Sequence, residues 1–398
     1  MRPLEGIRVL DLSRLIPGPY CSLLLADMGA EVIKVEDPQG GDHGRQTTPF
    51  IGGMSSRFLL LNRNKKSIAL NLKSQEGRRI FLRLAEKADV ILESFRPGTM
   101  DKFGLEYEKV SAVNPRIIYC SISAYGQDGP YRDIVAHDVN ILGLAGLLDI
   151  TGGRDGQPVI PGVTIADNAA AMFAALGILA ALLAREKTGR GRFLDVSMLD
   201  SVMSWLFDSV QYQLALGRTP GKSEGRLWGG VPLYGVYETK DGKFVTLGSL
   251  EPKFKEQLLK KLGREDLIAD RGTLSEVGVA TNEELAGFLR STFLTRTQEE
   301  WVRELEPLNI CFSPVNTIGE ALSHPQVVSR RMVMEVDDPV AGHTRVIGDP
   351  LKVSEPPVEP GPAPLLGQHT GEFLAGLGYT DSQIEELRLE GVVGVSGS

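Results

Sequence analysis

Short apolar runs alternate with amphipathic or alanine-rich stretches through the first third of the chain, the pattern of strands covered on both faces by helices. Ile7-Arg8-Val9-Leu10-Asp11-Leu12 predicts a strand, Pro17-Gly18-Pro19 a turn, and Tyr20 to Met28 a helix closed by Gly29. Glu31 to Glu36 is the next strand, so the chain opens β-α-β. The pattern repeats, with strands at Ser67 to Leu72, Asp89 to Ser94 and Ile117 to Ile122 and an amphipathic helix over Ser74 to Ala88. The expectation is an α/β fold with a large, doubly wound, Rossmann-like parallel sheet.

The middle of the chain changes character. The apolar block Ala169 to Ala184 is shorter than the roughly 20 residues of a membrane span. Its alanines and Gly177 predict a buried, closely packed helix, and Asp195 to Tyr212 continues as helix. Gly217 to Gly230, rich in Gly, Arg and Pro, reads as an exposed connection. Beyond it, Leu233 to Tyr237 and Phe244 to Leu247 flank Lys240-Asp241-Gly242-Lys243, a hairpin signal. Helices follow over Pro252 to Leu262 and Asn282 to Leu305. Residues 225–325 therefore read as a smaller α+β domain, and residues 1–224 with 326–398 as the large one. Pro350 to Pro364 is proline-rich and extended, and Ser382 to Glu390 a short terminal helix.

Composition narrows the function. A net charge of −8 over 398 residues disfavours a nucleic-acid surface or an anionic membrane as partner. It leaves room for a local cationic pocket. Cys21, Cys120 and Cys311 lie far apart, with no metal-ligand spacing, and read as free thiols in a reducing, cytoplasmic setting. No signal-type segment is evident at the N-terminus. The turn after the first strand lacks GxGxxG, which disfavours NAD, no GxSxG elbow is read at a strand-to-helix turn, and no HExxH is present. Gly217 to Ser223 has one residue too few for a P-loop.

Basic residues gather near the early strand ends: Lys34, Arg63, Lys65, Lys66, Lys73 and Arg96. Ligands of open α/β sheets bind beside those ends, and cations there suit phosphates. A solvated basic face is the alternative for each lysine, whereas Arg96, set before Pro97-Gly98 at a strand end, is the stronger ligand candidate. His137-Asp138-Val139-Asn140 and the later Asp167, on the threshold of the apolar block, supply two proton acceptors. Spacing leaves two readings open: an acid–base pair, or a core histidine and a helix N-cap.

Several stretches in order resemble the superfamily of family III CoA-transferases and α-methylacyl-CoA racemases over nearly the whole chain. They are Leu4 to Asp11, Pro17-Gly18-Pro19, Leu25 to Glu36, Asn62 to Lys66, Glu93 to Gly98, Tyr125 to Pro130, and Thr188 to Gly191 leading to Asp195 to Met198. The resemblance implies an acyl-CoA thioester substrate, no metal and no cofactor beyond coenzyme A itself, and an interlocked homodimer whose large domain includes the C-terminal segment. It implies catalytic roles for Asp167, His137 and Glu251. It places Lys34, Leu72, Lys73, Ser74, Gln75, Ser94, Phe95, Arg96, Asp138 and Asn140 along the substrate.

His137-Asp138-Val139-Asn140 and Glu251-Pro252-Lys253-Phe254 look like the racemase branch, and no glycine-rich transferase loop is evident. The expectation is therefore an α-methylacyl-CoA racemase, in which His137 and Asp167 exchange protons across Cα through an enolate. Backbone N–H groups near Asp138 to Asn140, or at the Asp167 helix start, would hold its oxygen. The alternatives are a CoA-transferase with Asp167 as nucleophile and a non-catalytic acyl-CoA binder. Met54, Phe58, Leu227 and Trp228 are candidates for an acyl pocket.

Overall fold

Six strands run parallel through one sheet: β1 (Arg8–Asp11), β2 (Glu31–Glu36), β3 (Lys66–Leu70), β4 (Val90–Glu93), β5 (Ile118–Ser123) and β6 (Arg192–Ser197). Their order is β3-β2-β1-β4-β5-β6, and a terminal strand, Val393–Gly394, adds antiparallel to β3. The computed structural model describes residues 2–153, 156–268, 283–353 and 358–394. Contacts divide the chain into two units: Met1–Leu144 with Val163–Trp205 and Pro325–Ser398, and Ala145–Gly162 with Leu206–His324. The first holds this sheet, as expected of a doubly wound α/β fold.

The strands form where the sequence offers apolar residues to both faces. Leu10, Ile33, Ile91 and Tyr119 are buried with Ile80, Phe81 and Leu84 of an amphipathic helix, Gln75–Ala85. Each such aliphatic side chain contributes about 1.5–3 kcal/mol on burial. Ser74 caps that helix, accepting from the Gly77 N–H at 2.9 Å. The C-terminal segment is tied back to the sheet: Thr370 Oγ1 accepts from the Ala69 N–H at 3.0 Å, and the His369 N–H donates to Ser67 at 2.9 Å.

Three local expectations are corrected. Pro17-Gly18-Pro19 is no separate turn but the first turn of helix α1 (Pro17–Asp27), where proline lacks only an N–H that has no intrahelical partner. A Cβ on Gly18 would lie 2.0 Å from that of Ser13, so glycine lets the helix start press on the loop after β1. Asp195-Val196-Ser197 is not helical; it ends β6, which pairs with β5 over six residues, and helices Met198–Trp205 and Phe207–Leu216 follow. Arg192 and Asp195 interrupt its apolar pattern, which hid the strand. The expected helix to Leu305 is two, Glu283–Phe293 and Gln298–Leu305, because Thr297 and Glu300 form a capping box that starts a new one. Residue 282 lies outside the described residues, as do 354–357 of the proline-rich stretch.

In the second unit, strands β7 (Tyr234–Glu238) and β8 (Phe244–Gly248) form the expected hairpin, and Phe312–Pro314 adds to β8. Helices Pro252–Lys261, Glu283–Phe293 and Gln298–Leu305 accompany this sheet, and Leu233, Val245, Leu258, Leu289, Phe293 and Trp301 make the core of an α+β unit.

Candidate active site

The chain leaves β1 and β4 in opposite directions, toward β2 on one side and β5 on the other, so a crevice opens at their carboxyl ends. The loop after β1 supplies Arg14, Leu15 and Ile16, and the loop after β4 supplies Ser94, Phe95, Arg96 and Pro97. With His43, Arg57, Arg132, His137, Asp138, Asn140, Thr164 and Asp167 they line a cavity of about 820 Å³. The two loops are sewn together. The Arg14 N–H donates to Ser94 Oγ at 3.1 Å, and the Arg14 guanidinium stacks 5.1 Å from the Phe95 ring centre. Phe95 N–H donates to the Glu93 carboxylate at 2.7 Å. Burial pushes that carboxyl up to about 7, against its hydrogen bonds to Ser121 and Phe95.

His137 and Asp167 meet in this cavity, but neither plays the bland role that spacing allowed. His137 is exposed, just ahead of helix Asp138–Leu144, and Asn140 Oδ1 accepts its backbone N–H at 3.0 Å. Asp167 lies in the first turn of helix Ile165–Thr188, whose N-cap is Thr164. Asp138 reaches across from the other segment: its Oδ1 accepts from the Ala166 N–H at 2.6 Å and the Asp167 N–H at 3.2 Å. Burial and the Asp138 charge raise the Asp167 carboxyl to about 6, while Thr164, His137 and Arg57 pull the other way. The helix-start N–H groups expected to hold an enolate oxygen are therefore already taken by Asp138. At neutral pH Asp167 is mostly an ionised, poorly solvated carboxylate, a form suited to nucleophilic attack.

Much of the basic cluster turns inward. Lys34 is fully buried, with its ammonium 2.8 Å from Asp42 and 2.8 Å from the Ser13 carbonyl. It has no face left for a phosphate, which corrects its expected ligand role. Burial pulls its pKa down, but Asp11, Asp42 and Glu36 outweigh that and raise it. The Asp42 carboxyl falls to about 2, since Lys34 overcomes its desolvation. Lys65 donates to Pro19 O, Ser22 and Asn62, and burial lowers its pKa to about 8. Arg63 forms a buried bidentate pair with Asp27. Lys66 pairs with Glu31 and Glu372, so only Lys73 and Arg96 stand well exposed.

The remaining candidates scatter. Leu72, Lys73, Ser74 and Gln75 follow β3, two strands from β1 at the same carboxyl edge, and do not line the cavity. Leu72 packs on the core, Ser74 serves as a cap, and Lys73 and Gln75 are exposed. Glu251 belongs to the second unit, exposed at the N-cap of Pro252–Lys261. Met54 and Phe58 are plain core, while Leu227 and Trp228 line a hollow of about 990 Å³ within the second unit. Arg14, Leu15, His43, Arg57 and Arg132 were missed. The signal for the first two was available, because the loop after β1 borders the switch point of any such sheet. Leu15 carries a left-handed backbone (φ 65°), held by its N–H on Asp42 at 3.1 Å.

Comparison with known proteins places the chain. Residues 4–370 match the model of CoA-transferase family III. A mouse succinyl-CoA:glutarate CoA-transferase is 38% identical, with 99% of this chain and 91% of that protein covered. The acetyl-CoA:oxalate CoA-transferase of Acetobacter aceti is 34% identical, over 92% of this chain and 93% of that one. The crystal structure of a CaiB/BaiF family protein from Brucella suis superposes with a TM-score of 0.81 at 30% identity, covering 94% of this chain and 99% of that one. The mouse and Acetobacter relatives are named as CoA-transferases, and the racemase expectation is withdrawn on that finding. The motif that suggested it has a structural use here: Asp138 caps one helix and Asn140 fixes the backbone ahead of another. The chain is a member of the family III CoA-transferases.

Proposed function

We propose that the protein moves coenzyme A between an acyl-CoA and a free carboxylic acid, with Asp167 as the nucleophile. The observation that carries this reading is the Asp167 carboxyl itself, half-buried in a cation-rich cavity at the sheet's switch point with its pKa raised to about 6. The naming of similar proteins as CoA-transferases supports it.

The Asp167 carboxylate attacks the thioester carbonyl, and coenzyme A leaves as the thiolate, giving a mixed anhydride. The thiolate attacks the aspartyl carbonyl, which releases the donor acid and leaves an aspartyl-CoA thioester. The acceptor carboxylate attacks that carbonyl and expels the thiolate again. Attack of the thiolate on the new acyl group then gives the product thioester and restores Asp167. No net proton is consumed, and no metal or redox group enters any step. Every intermediate is an acyl derivative, so the account requires water to be kept from the anhydride. Phosphates of coenzyme A are assigned to Arg14 and Arg96, where the β1 and β4 loops meet, and the exposed His137 imidazole to a hydrogen bond on the developing oxyanion.

The working form is assigned as an interlocked homodimer. Met172, Leu176 and Leu183 form an exposed apolar stripe on the otherwise alanine-lined helix Ile165–Thr188, a face suited to a second copy. Light scattering should then give twice the chain mass.

The test is to mix acetyl-CoA or succinyl-CoA with a panel of carboxylic acids and to quantify every thioester by mass spectrometry. New acyl-CoA formed in step with donor loss, without free coenzyme A accumulating, is the expected result. Hydrolysis alone, or no new thioester with any acid, would refute the proposal.

A further inference from the structure

The cations around the cavity are not equivalent. Arg132 is spent on Asp133 at 3.0 Å and on the Gln127 carbonyl at 2.8 Å. Arg14 lies against Phe95, at the end of the cavity where Arg96 also stands. Arg57 differs from both. It is exposed, lines the same cavity as Asp167, and has no ion-pair partner among the described residues. Its charge is felt at the Asp167 carboxylate, where it opposes the effects of burial and Asp138.

The backbone beneath Arg57 is firmly set. It is the second residue of helix Ser56–Asn62, whose N-cap Ser55 accepts from the Phe58 N–H at 3.4 Å. Phe58 and Leu59 follow directly and are both buried, and the Arg45 guanidinium lies 3.8 Å from the Phe58 ring centre. Only the head of Arg57 is uncommitted. A cation carried on a fixed helix, unpaired, and lining the nucleophile's own cavity is a receptor for an anion.

The anion has to be found at the acyl end of the substrate. The phosphates already have Arg14 and Arg96, and the reacting carboxyl group must stay free to attack or be attacked. A monocarboxylic acid would fill the cavity with hydrocarbon and leave the Arg57 guanidinium desolvated and unpaired, which is costly. A second carboxylate on the acid removes that cost. We infer that Arg57 holds the distal carboxylate of a dicarboxylic acid, as donor acyl group or as acceptor, and thereby selects dicarboxylic over monocarboxylic substrates. This rests on the transferase reading above and names its substrate class.

The experiment compares two acceptors of equal length, glutarate and pentanoate, with one acyl-CoA donor, in the wild type, Arg57→Gln and Arg57→Lys. The quantity read is the ratio of kcat/KM for glutarate to kcat/KM for pentanoate. A wild-type ratio well above one, falling about 10- to 100-fold in Arg57→Gln, is expected for loss of one charge-assisted hydrogen-bonded pair. The fall should lie mainly in KM for glutarate, and Arg57→Lys should recover part of it. Both substitutions fall on an exposed side chain, and the lysine variant keeps the charge if the glutamine variant is poorly folded. An unchanged ratio in Arg57→Gln, or a wild type that favours pentanoate, overturns the inference while leaving the transferase reading intact. Transfer to monocarboxylic acids alone across the wider acid panel likewise overturns only the inference, whereas transfer to no acid from any donor overturns both, and the wild type alone shows which has failed.

Discussion

Two groups of charges flank the loop after β1, and they are built on opposite plans. Asp11, Lys34, Asp42 and Lys65 are buried and pair with one another and with Ser13, Ser22 and Asn62. Arg14, Arg57, Arg96 and Asp167 face an open cavity and have few partners. In the first group every charge is answered within the chain, so the cluster serves shape: it holds Ser13 and, through Asp42, Leu15. In the second group charge is left unanswered and is available to a ligand. The lesson is that charge type and place in the sequence do not reveal function here. Lys34 and Arg96 both follow the same pattern of basic residues near strand ends, and only their partners tell them apart.

The sharpest way to break the comparison is to neutralise one member of each group. Asp167→Asn should lower CoA transfer by about 10³-fold or more, the order expected when a nucleophile is removed. It should not destabilise the fold at neutral pH. The Asp167 pKa is raised from 3.8 to about 6, so the fold favours its neutral form. That contribution is fully present below pH 3.8 and lost as pH rises through about 6, where the neutral asparagine escapes the penalty. Thermal midpoints at pH 5 and pH 7.5 should show the variant gaining on the wild type at the higher pH. Lys34→Met is the converse. It leaves Asp42 and Asp11 short of their counter-charge, and should cost about 3–5 kcal/mol of stability in denaturant titrations.

A smaller effect separates Lys34 from Arg96. Arg96→Met should change stability by no more than about 0.5 kcal/mol, as for other exposed sites. Its coenzyme A affinity should drop by about 10-fold, with a weaker salt dependence in calorimetric titrations, since one phosphate-binding cation is gone. Least in size is a pH effect. The acid limb of kcat/KM should fall near pH 6, where Asp167 ionises. Asp138→Asn removes the neighbouring like charge, so that limb should move to lower pH; no movement would separate the two carboxylates electrostatically.

The sheet was legible because its central strands are apolar on both faces, a signal that needs no tertiary knowledge. β6 was not, since Arg192 and Asp195 break the run and its pairing with β5 comes from far along the chain. Asp167 could be singled out from its place ahead of an alanine-rich helix, and His137 from the polar cluster around it. Their neighbours could not be assigned. The Asp138 contact with Ala166 and Asp167 spans 28 and 29 residues, so its use as a cap is invisible in sequence. Arg57, a lone cation beside an apolar run, carries no motif at all. The choice between proton transfer and CoA transfer failed for a related reason. His137-Asp138-Val139-Asn140 was weighed as chemistry, whereas two of its four side chains serve the backbone.

The measurement that bears most directly on the account is covalent trapping at Asp167. The protein would be incubated with an acyl-CoA, reduced with borohydride, digested and analysed by mass spectrometry. An aspartyl thioester or anhydride is reduced to the alcohol, so the account predicts homoserine at position 167 in the wild type and none without acyl-CoA. CoA transfer at full rate with position 167 unmodified, or with the modification on another carboxylate, would contradict it.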